Sequence, residues 1–263
     1  MSDAFLPVDL SGMRVAVTAG GAGIGRTIAE ALRVRGARLC ICDVSANAIA
    51  DTQSHLPDVH AEVVDVADSG AVADWFAAIE SRLGGLDVLV NNAGVAGPTA
   101  RIEDVTDEAL EQTLDINVSS QFYCTRYAVP MIKAAGGGSI INLSSIAGRL
   151  GFTMRSPYSA SKWAVIGFTK SLAVELGEHN VRVNAILPGH VDSDRFRRVV
   201  QAKAEALGVS FEKMRRQYLD VVSLKRNVNK ADIANMVLYL ASPFGASITG
   251  QAISVCGDVQ MMK

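Results

Sequence analysis

The sequence predicts a single α/β domain in which helices cover both faces of a doubly wound, seven-stranded parallel sheet. Short apolar runs rich in Val, Ile and Leu alternate with longer segments whose apolar residues recur every three or four positions. The short runs lack strict polar alternation, which is typical of strands covered on both faces. No linker rich in Pro, Ser or Gly interrupts the alternation, so one domain is expected over residues 1–263.

The individual elements follow from these two periodicities. Strands are predicted over 14–18, 38–43, 60–64, 86–91, 139–143, 181–187 and 251–255. Core helices are predicted over 23–35, 46–55, 69–83, 107–135, 157–176 and 231–240. Two further helical segments, 195–206 and 211–222, fall within residues 190–229, after the sixth strand. Ligands of such sheets bind beyond the carboxyl ends of the strands, so extra structure at this place predicts a lid.

Composition and charge narrow the classes of function. The formal net charge is −2, which gives no field that would attract nucleic acid or an anionic membrane. The cysteines have no CxxC or metal-ligand spacing, so neither a disulfide framework nor a metal site is expected; they are Cys40, Cys42, Cys124 and Cys256. No apolar run approaches a membrane span and no signal-peptide pattern is present, so the expected location is cytoplasmic.

A glycine-rich loop, TAGGAGIG at 18–25, joins the first strand to the first helix. Glycines permit a tight turn and a close approach of the backbone to a pyrophosphate, which the helix N-terminus stabilises. The loop therefore predicts a Rossmann-type dinucleotide site, with contacts expected at Gly20, Gly21, Gly23, Ile24 and Gly25. A tight strand-to-helix connection without any ligand is the alternative.

The acidic residue at the end of the second strand favours NAD. Asp43 stands near the distance from the loop at which a carboxylate accepts hydrogen bonds from the adenosine ribose. It would repel the 2′-phosphate of NADP, and neither Val44 nor Ser45 offers a compensating positive charge. The alternative is that Asp43 is only a turn residue or helix N-cap.

A tyrosine and a lysine four residues apart provide the candidate for proton transfer. Tyr158 and Lys162 share a face of the predicted sixth core helix, and Pro157 suits its first turn. An ammonium favours a nearby phenolate, so Tyr158 could act as a general base near neutral pH. Ser144 and Ser145, at the end of the preceding strand, could hydrogen-bond the substrate oxygen. Taken alone, the Tyr/Lys pair could equally be an amphipathic helix face.

Seven motifs occur together, in order, and most of them stand at strand ends. They are the loop at 18–25, Asp65-Val66, Asn91-Asn92-Ala93-Gly94, Asn117, Ser145, Tyr158 with Lys162, and Pro188-Gly189. With these motifs the sequence resembles the short-chain dehydrogenases/reductases over essentially its whole length. The resemblance implies a catalytic tetrad of Asn117, Ser145, Tyr158 and Lys162.

The resemblance also implies a role for each member of the tetrad. Tyr158 would exchange the proton, and Ser145, rather than Ser144, would orient and polarise the substrate oxygen. Lys162 would bind the nicotinamide ribose and favour the Tyr158 phenolate. Asn117 would hold a water in a proton relay, although it could also be only a helix-kink residue.

Further cofactor contacts carry over in the same way. Asp65 and Val66 would flank the adenine, and the remaining contacts are expected at Val44, Asn92, Ala93, Gly94, Pro188, Gly189, Val191 and Ser193. The sequence departs from the family at three positions. Ala19 replaces a glycine and should keep the turn if its dihedral angles are negative, and Ser193 replaces a threonine whose hydroxyl role it can fill. Cys256 replaces an aspartate in a region that usually packs between subunits.

The substrate is expected to be a small polar hydroxy compound. Residues 146–156 and the lid carry several basic side chains, and a guanidinium suits a carboxylate, sulfonate or phosphate. The candidate substrate contacts are Arg149, Phe152, Arg155, His190 and Arg195. The alternative is that most of these arginines are simply solvated.

The sequence therefore predicts an NAD-dependent oxidoreductase that interconverts a secondary alcohol and a ketone. Its substrate would be a polyol, sugar, hydroxy acid, hydroxysulfonate or cyclic alcohol. A ketoacyl-thioester reductase of the same fold is one alternative, and a non-catalytic dinucleotide-binding or scaffold protein is another. By resemblance the chain is expected to form a homotetramer.

Overall fold

A computed structural model describes residues 5–261 as seven parallel strands in one sheet, in the order β3-β2-β1-β4-β5-β6-β7. The strands are β1 (Arg14–Thr18), β2 (Arg38–Asp43), β3 (His60–Val63), β4 (Val88–Asn91), β5 (Gly138–Leu143), β6 (Val181–Pro188) and β7 (Ala252–Val255). The predicted fold class is confirmed. Residues 1–4 and 262–263 of the predicted domain lie outside the described residues.

Nine α-helices surround this sheet within residues 5–261. They are α1 (Gly23–Val34), α2 (Ala46–His55), α3 (Ser69–Leu83), α4 (Asp107–Leu114), α5 (Ser120–Ala134), α6 (Ser156–Leu176), α7 (Asp194–Ala206), α8 (Phe211–Asp220) and α9 (Lys230–Ala241). The helices predicted at 195–206 and 211–222 are α7 and α8. In the part of the chain that the structure describes, no helix is long and apolar enough to cross a membrane.

The sheet has a hydrophobic core on each face. Val15 and Val17 pack with α1 and α9 in one cluster, whereas Ala16 between them packs with α3 and α5 in the other. Successive strand residues point to opposite faces, so each of these three finds an apolar environment. This is why the strand sequences are continuously apolar rather than alternating.

The strand order reverses at the centre of the sheet. β1 pairs with β2 on one side and with β4 on the other, so the chain runs outward from β1 in both directions. At such a switch point the connections leave the carboxyl edge in opposite directions and open a crevice between them. The crevice lies beside the loop at 18–25 and the polar residues that follow β4.

The prediction of one continuous α-helix over 107–135 was wrong, because the segment contains a turn of a different kind. A π-helical turn, Asp115–Ser119, joins α4 to α5 and carries the buried Asn117. Such turns insert one residue into the helix and are often found at functional sites. Apolar periodicity does not register a single inserted residue, so the sequence pattern could not reveal it.

Candidate active site

The glycine-rich loop is held against the residues that follow β4. The side-chain amide of Asn92 donates to the carbonyl oxygens of Thr18 and Ala19 at 2.9 and 3.0 Å. A Cβ at Gly25 would lie 2.0 Å from the Ala19 oxygen and 2.5 Å from the Asn92 amide nitrogen. Only glycine therefore fits at position 25 in this conformation.

Ala19 does not have the negative dihedral angles on which the expected turn depended. Its φ is +50°, in the left-handed region that costs an L-residue about 1–2 kcal/mol. Two hydrogen bonds stabilise the turn. The Ala19 carbonyl accepts one from the Asn92 side chain, and Gly20 N donates the other to the Cys42 carbonyl at 2.8 Å. The loop is thus kept at a conformational cost that glycine would not incur.

The start of α1 offers free donors to an anion. The N-cap residue Ala22 provides no side-chain oxygen to the first turn, and that turn contains no acidic residue. Gly23 has a φ of +57°, and a Cβ built on it would meet nothing within 4 Å. Open space and unpaired N–H groups at a helix N-terminus fit the pyrophosphate of a dinucleotide.

Asp43 is hydrogen-bonded both to the glycine loop and to the turn that follows β2. One carboxylate oxygen accepts from Gly21 N at 3.1 Å and the other from Ser45 N at 3.0 Å. Asp43 is therefore a turn residue that also supports the glycine loop. Oxygen lone pairs remain on the carboxylate for ribose hydroxyls. The neighbouring Val44 is 69% exposed.

Lys162 and Tyr158 lie together on α6, where the side-chain nitrogen of Lys162 is 5.9 Å from the centre of the Tyr158 ring. Lys162 is buried and its ammonium donates to the Leu143 carbonyl at 2.9 Å. Burial lowers the pKa of Lys162 to about 7, and the positive charge of Arg195 adds to the effect. An additional hydrogen-bond acceptor bound in the cleft would therefore stabilise the Lys162 ammonium.

The two serines after β5 have different surroundings. The Ser144 hydroxyl donates to the Lys162 carbonyl at 2.7 Å and ties β5 to α6. The Ser145 hydroxyl accepts from Ala147 N at 3.1 Å, which leaves its own proton available. Both residues line the cleft, but only Ser145 retains a donor for another molecule.

Asn117 connects the π-helical turn to two neighbouring segments. Its side-chain oxygen accepts from Val95 N at 2.7 Å. Its side-chain nitrogen donates to the Val95 carbonyl at 3.1 Å and to the Ser161 hydroxyl at 3.0 Å. Both amide protons are used, so the side chain holds α6 and the segment that follows β4 in place.

One cleft brings most of the predicted residues together. Those that line it are Ile24, Asn92, Gly94, Ser145, Phe152, Arg155, Tyr158, Lys162, Pro188, Gly189, His190, Val191, Ser193 and Arg195. The predicted residues outside this lining are Gly20, Gly21, Gly23, Gly25, Asp43, Val44, Asp65, Val66, Ala93, Asn117 and Arg149. Apart from Arg149, these belong to the glycine loop, to the segments after β2 and β3, or to the support of the cleft.

Arg149 is separated from the cleft although it was a substrate candidate. It is exposed, and its guanidinium donates to the Ser254 hydroxyl at 3.2 Å and to the Ala252 carbonyl on β7. Cys256, near the end of the same strand, packs on Gly189, where a Cβ would lie 2.6 Å from the Cys256 Cα. The C-terminal segment therefore supports the cleft wall from behind.

The lid adds residues that the sequence analysis missed. Phe196 and Val199 of α7 and Tyr218 of α8 line the cleft. The only available signal was that they are apolar or aromatic residues in a predicted lid. Ser193 caps α7 by accepting from Phe196 N at 3.2 Å.

His190 is enclosed by lid aromatics. Its ring stacks on Phe196 at 5.4 Å and meets Tyr218 edge to face at 5.0 Å. Burial lowers the pKa of His190 to about 4, and the Tyr218 main chain only partly opposes this. The imidazole is therefore neutral at pH 7. Among the described residues neither ring nitrogen makes a hydrogen bond.

Comparison with known proteins shows similarity along most of the chain. A family model described as enoyl-(acyl carrier protein) reductase matches residues 18–258. The chain is 33% identical over 258 residues to the D-beta-hydroxybutyrate dehydrogenase of Rhizobium meliloti (strain 1021), covering 92% of this chain and 96% of that protein.

Two solved structures are similar along almost their whole length. An actinorhodin polyketide ketoreductase with NADPH has a TM-score of 0.90 and 32% identity, covering 94% of this chain and 97% of that one. An NAD+-bound xylitol dehydrogenase has a TM-score of 0.90 and 26% identity, covering 94% and 99%. The predicted resemblance is confirmed, and the chain belongs to the short-chain dehydrogenase/reductase family of oxidoreductases.

Proposed function

We propose that the protein is an NAD-dependent dehydrogenase that interconverts a secondary alcohol and a ketone on a small polar substrate. The observation that carries the proposal is the pairing of Tyr158 with Lys162 in the cleft that Ser145 also lines, next to a glycine loop suited to a pyrophosphate.

The chemistry follows from what each side chain can do. When bound, the nicotinamide supplies the acceptor for the hydride that leaves the carbinol carbon. As that C–H bond breaks and the C=O bond forms, the Tyr158 phenolate takes the hydroxyl proton. The free Ser145 donor holds the substrate oxygen, and the Lys162 ammonium stabilises the phenolate and binds ribose hydroxyls. In the reduction direction Tyr158 returns the proton.

Asn117 contributes to this proton transfer indirectly, by holding neighbouring segments in place. Because its side-chain protons are committed to Val95 and Ser161, a relay water would have to be held by the main chain of the π-helical turn. The side chain in turn fixes the distance between that turn and α6. Asn117 is thus proposed as a positioning residue for the relay.

The choice of NAD over NADP rests on Asp43. Its carboxylate stands at the end of β2 with the aliphatic Val44 beside it, and Arg26 is engaged by Glu30 and Asp51. A 2′-phosphate would meet this negative charge without a free cation at positions 44 and 45. Asp43→Ser should shift the NAD-to-NADP ratio of kcat/KM toward NADP by about 10- to 100-fold, since a charged hydrogen bond contributes about 1.5–3 kcal/mol.

The direct test is nicotinamide reduction with a panel of polyols, sugars, hydroxy acids, hydroxysulfonates and cyclic alcohols, with NAD and NADP in parallel. Turnover with NAD that disappears in Tyr158→Phe while NADH still binds supports the proposal. Absence of turnover across the panel, with NADH bound tightly, would favour a non-catalytic dinucleotide-binding protein.

A ketoacyl-thioester reductase is the second candidate, because the chain is similar to a polyketide ketoreductase with NADPH. It predicts that NADPH reduces an acetoacetyl thioester faster than NAD oxidises any alcohol of the panel. Asp43 favours the opposite result. Measuring both reactions on one preparation separates the two candidates.

The family resemblance also leads us to propose a homotetramer. On α5 and α6, the tilted rings of Phe122 and Phe168 lie 4.1 Å apart between their centres, and both Phe122 and Trp163 are about half exposed. An exposed aromatic surface of this kind is typical of an interface. Light scattering after size-exclusion chromatography would show a tetramer, and a monomer at micromolar concentration would contradict it.

A further inference from the structure

The cleft contains a buried positive charge that has no counter-charge. Arg155 is 2% exposed, and no carboxylate of the described residues lies within the 4 Å of an ion pair with it. Its guanidinium donates to the Thr99 hydroxyl at 3.3 Å and to the Ala96 carbonyl. Its Nε makes no hydrogen bond. Burying a positive charge without an opposite charge is costly, so such a group calls for an explanation.

The cleft around Arg155 is positively charged as a whole. The residues that line it include Arg155, Lys162 and Arg195, and no Asp or Glu is among them. Lys203 of α7 also approaches: its ammonium is 5.0 Å from the centre of the Phe152 ring, and the Arg155 guanidinium is 5.4 Å from the same centre. Burial lowers the pKa of Lys203 to about 8, and the Arg155 charge adds to this.

The dinucleotide does not account for Arg155. Its side-chain hydrogen bonds go to Ala96 and Thr99, after the end of β4, and within residues 5–261 none of them goes to the glycine loop. Instead, its guanidinium carbon is 5.2 Å from the centre of the Tyr158 ring. Arg155 therefore lies next to Tyr158, where the proposed function places the substrate.

The remaining walls suit a short molecule with several oxygens. Phe152, Phe196 and Val199 provide apolar surface. His190 and the Tyr218 hydroxyl add polar atoms without hydrogen-bond partners among the described residues. Because Arg155 lies so close to Tyr158, a molecule only a few bonds long can reach both.

We propose that Arg155 anchors the anionic group of the substrate, which is a small hydroxy or keto acid bearing a carboxylate or sulfonate whose oxygen-bearing carbon faces Tyr158. Two parallel N–H donors of a guanidinium match two oxygens of either anion. This inference rests on the proposed dehydrogenase function, since that function places the substrate at Tyr158.

The experiment compares each acid with its neutral amide. The substrates are 2-hydroxybutyrate, 3-hydroxybutyrate and 2-hydroxypropane-1-sulfonate, each against the corresponding carboxamide or sulfonamide, in the wild type, Arg155→Gln and Arg155→Lys. The wild type should prefer the acids by about 10- to 100-fold in kcat/KM, and Arg155→Gln should abolish that preference by raising KM for the acids more than KM for the amides. Arg155→Lys should keep part of the preference for the acids, because a lysine retains the positive charge but not the two parallel N–H donors of the guanidinium.

Arg197→Gln is the matched control. Arg197 is an exposed arginine on α7 that faces Asp192 and Asp194 at 3.5 and 3.6 Å, so its loss should leave the acid-to-amide ratio unchanged. The carboxylate and sulfonate substrates, run separately, decide which anion the site accepts.

A binding measurement separates failure of this proposal from failure of the dehydrogenase function. Calorimetric titration of the enzyme with NADH present uses acetate against acetamide and methanesulfonate against methanesulfonamide. If no alcohol turns over, binding of an anion that is lost in Arg155→Gln still supports the anion site. If the wild type oxidises amides as well as acids, or binds the neutral compounds as tightly as the anions, Arg155 is only a tie between residues 96–99 and α6 and the proposal fails.

Discussion

Replacing His190 by phenylalanine should change how the stability of this protein depends on pH. The folded-state pKa of His190 is lowered from 6.5 to about 4 by burial. Between these two values the unfolded chain binds a proton that the folded chain does not, so the histidine makes folding less favourable as the pH falls. Each pKa unit corresponds to about 1.4 kcal/mol, so the full loss is about 3 kcal/mol, of which about 2.5 kcal/mol has accumulated at pH 4.5.

The phenylalanine variant removes the proton site and keeps an aromatic ring between Phe196 and Tyr218. Because neither nitrogen of His190 is hydrogen-bonded among the described residues, the variant should be about as stable as the wild type at pH 7.5. Urea unfolding followed by circular dichroism, at fixed protein concentration and without cofactor, gives the free energy of unfolding at each pH.

The free energies of unfolding of the wild type and His190→Phe should differ by close to zero at pH 7.5 and by about 2.5 kcal/mol at pH 4.5. His179→Gln, which removes an exposed imidazole, controls for the loss of one histidine from the chain. Parallel profiles for wild type and His190→Phe would refute the burial of a neutral imidazole.

Four further substitutions test the glycine-rich loop and the two serines. Ala19→Gly should stabilise the protein by about 1 kcal/mol and raise Tm by a few degrees, because glycine relieves the positive φ; an unchanged or lower Tm would contradict the strain. Gly25→Ala should abolish NADH binding, measured by fluorescence titration, because its Cβ would lie 2.0 Å from the Ala19 oxygen, and wild-type affinity would be the contrary result. Ser145→Ala should lower kcat about 100- to 1000-fold, whereas Ser144→Ala should cost about 1 kcal/mol of stability with kcat nearly retained; the reverse ranking would reassign the hydroxyl.

The elements and their order could be read from the sequence because they depend on local periodicity. Val15, Ala16 and Val17 are apolar in succession because the two faces of β1 both meet helices, and that succession is visible without coordinates. The glycine spacing at 18–25 and the four-residue step from Tyr158 to Lys162 are likewise local, so they predicted a dinucleotide loop and a shared helix face.

The tertiary structure decided what depends on distant neighbours. Arg149 and Arg155 are alike in the sequence, yet the first binds to β7 and the second is buried against Tyr158 without a counter-charge. Ser144 and Ser145 are adjacent serines, and only packing against Lys162 determines which hydroxyl is already engaged.

The sequence by itself therefore determined the fold and the family, and it predicted the candidate catalytic residues, because each depends on the spacing of neighbouring residues. Only the tertiary structure decided the positive φ of Ala19, the π-helical turn at Asn117 and which of the candidate arginines line the cleft. These features arise from contacts between segments far apart in the chain. The spacing of residues along the sequence does not reveal such contacts.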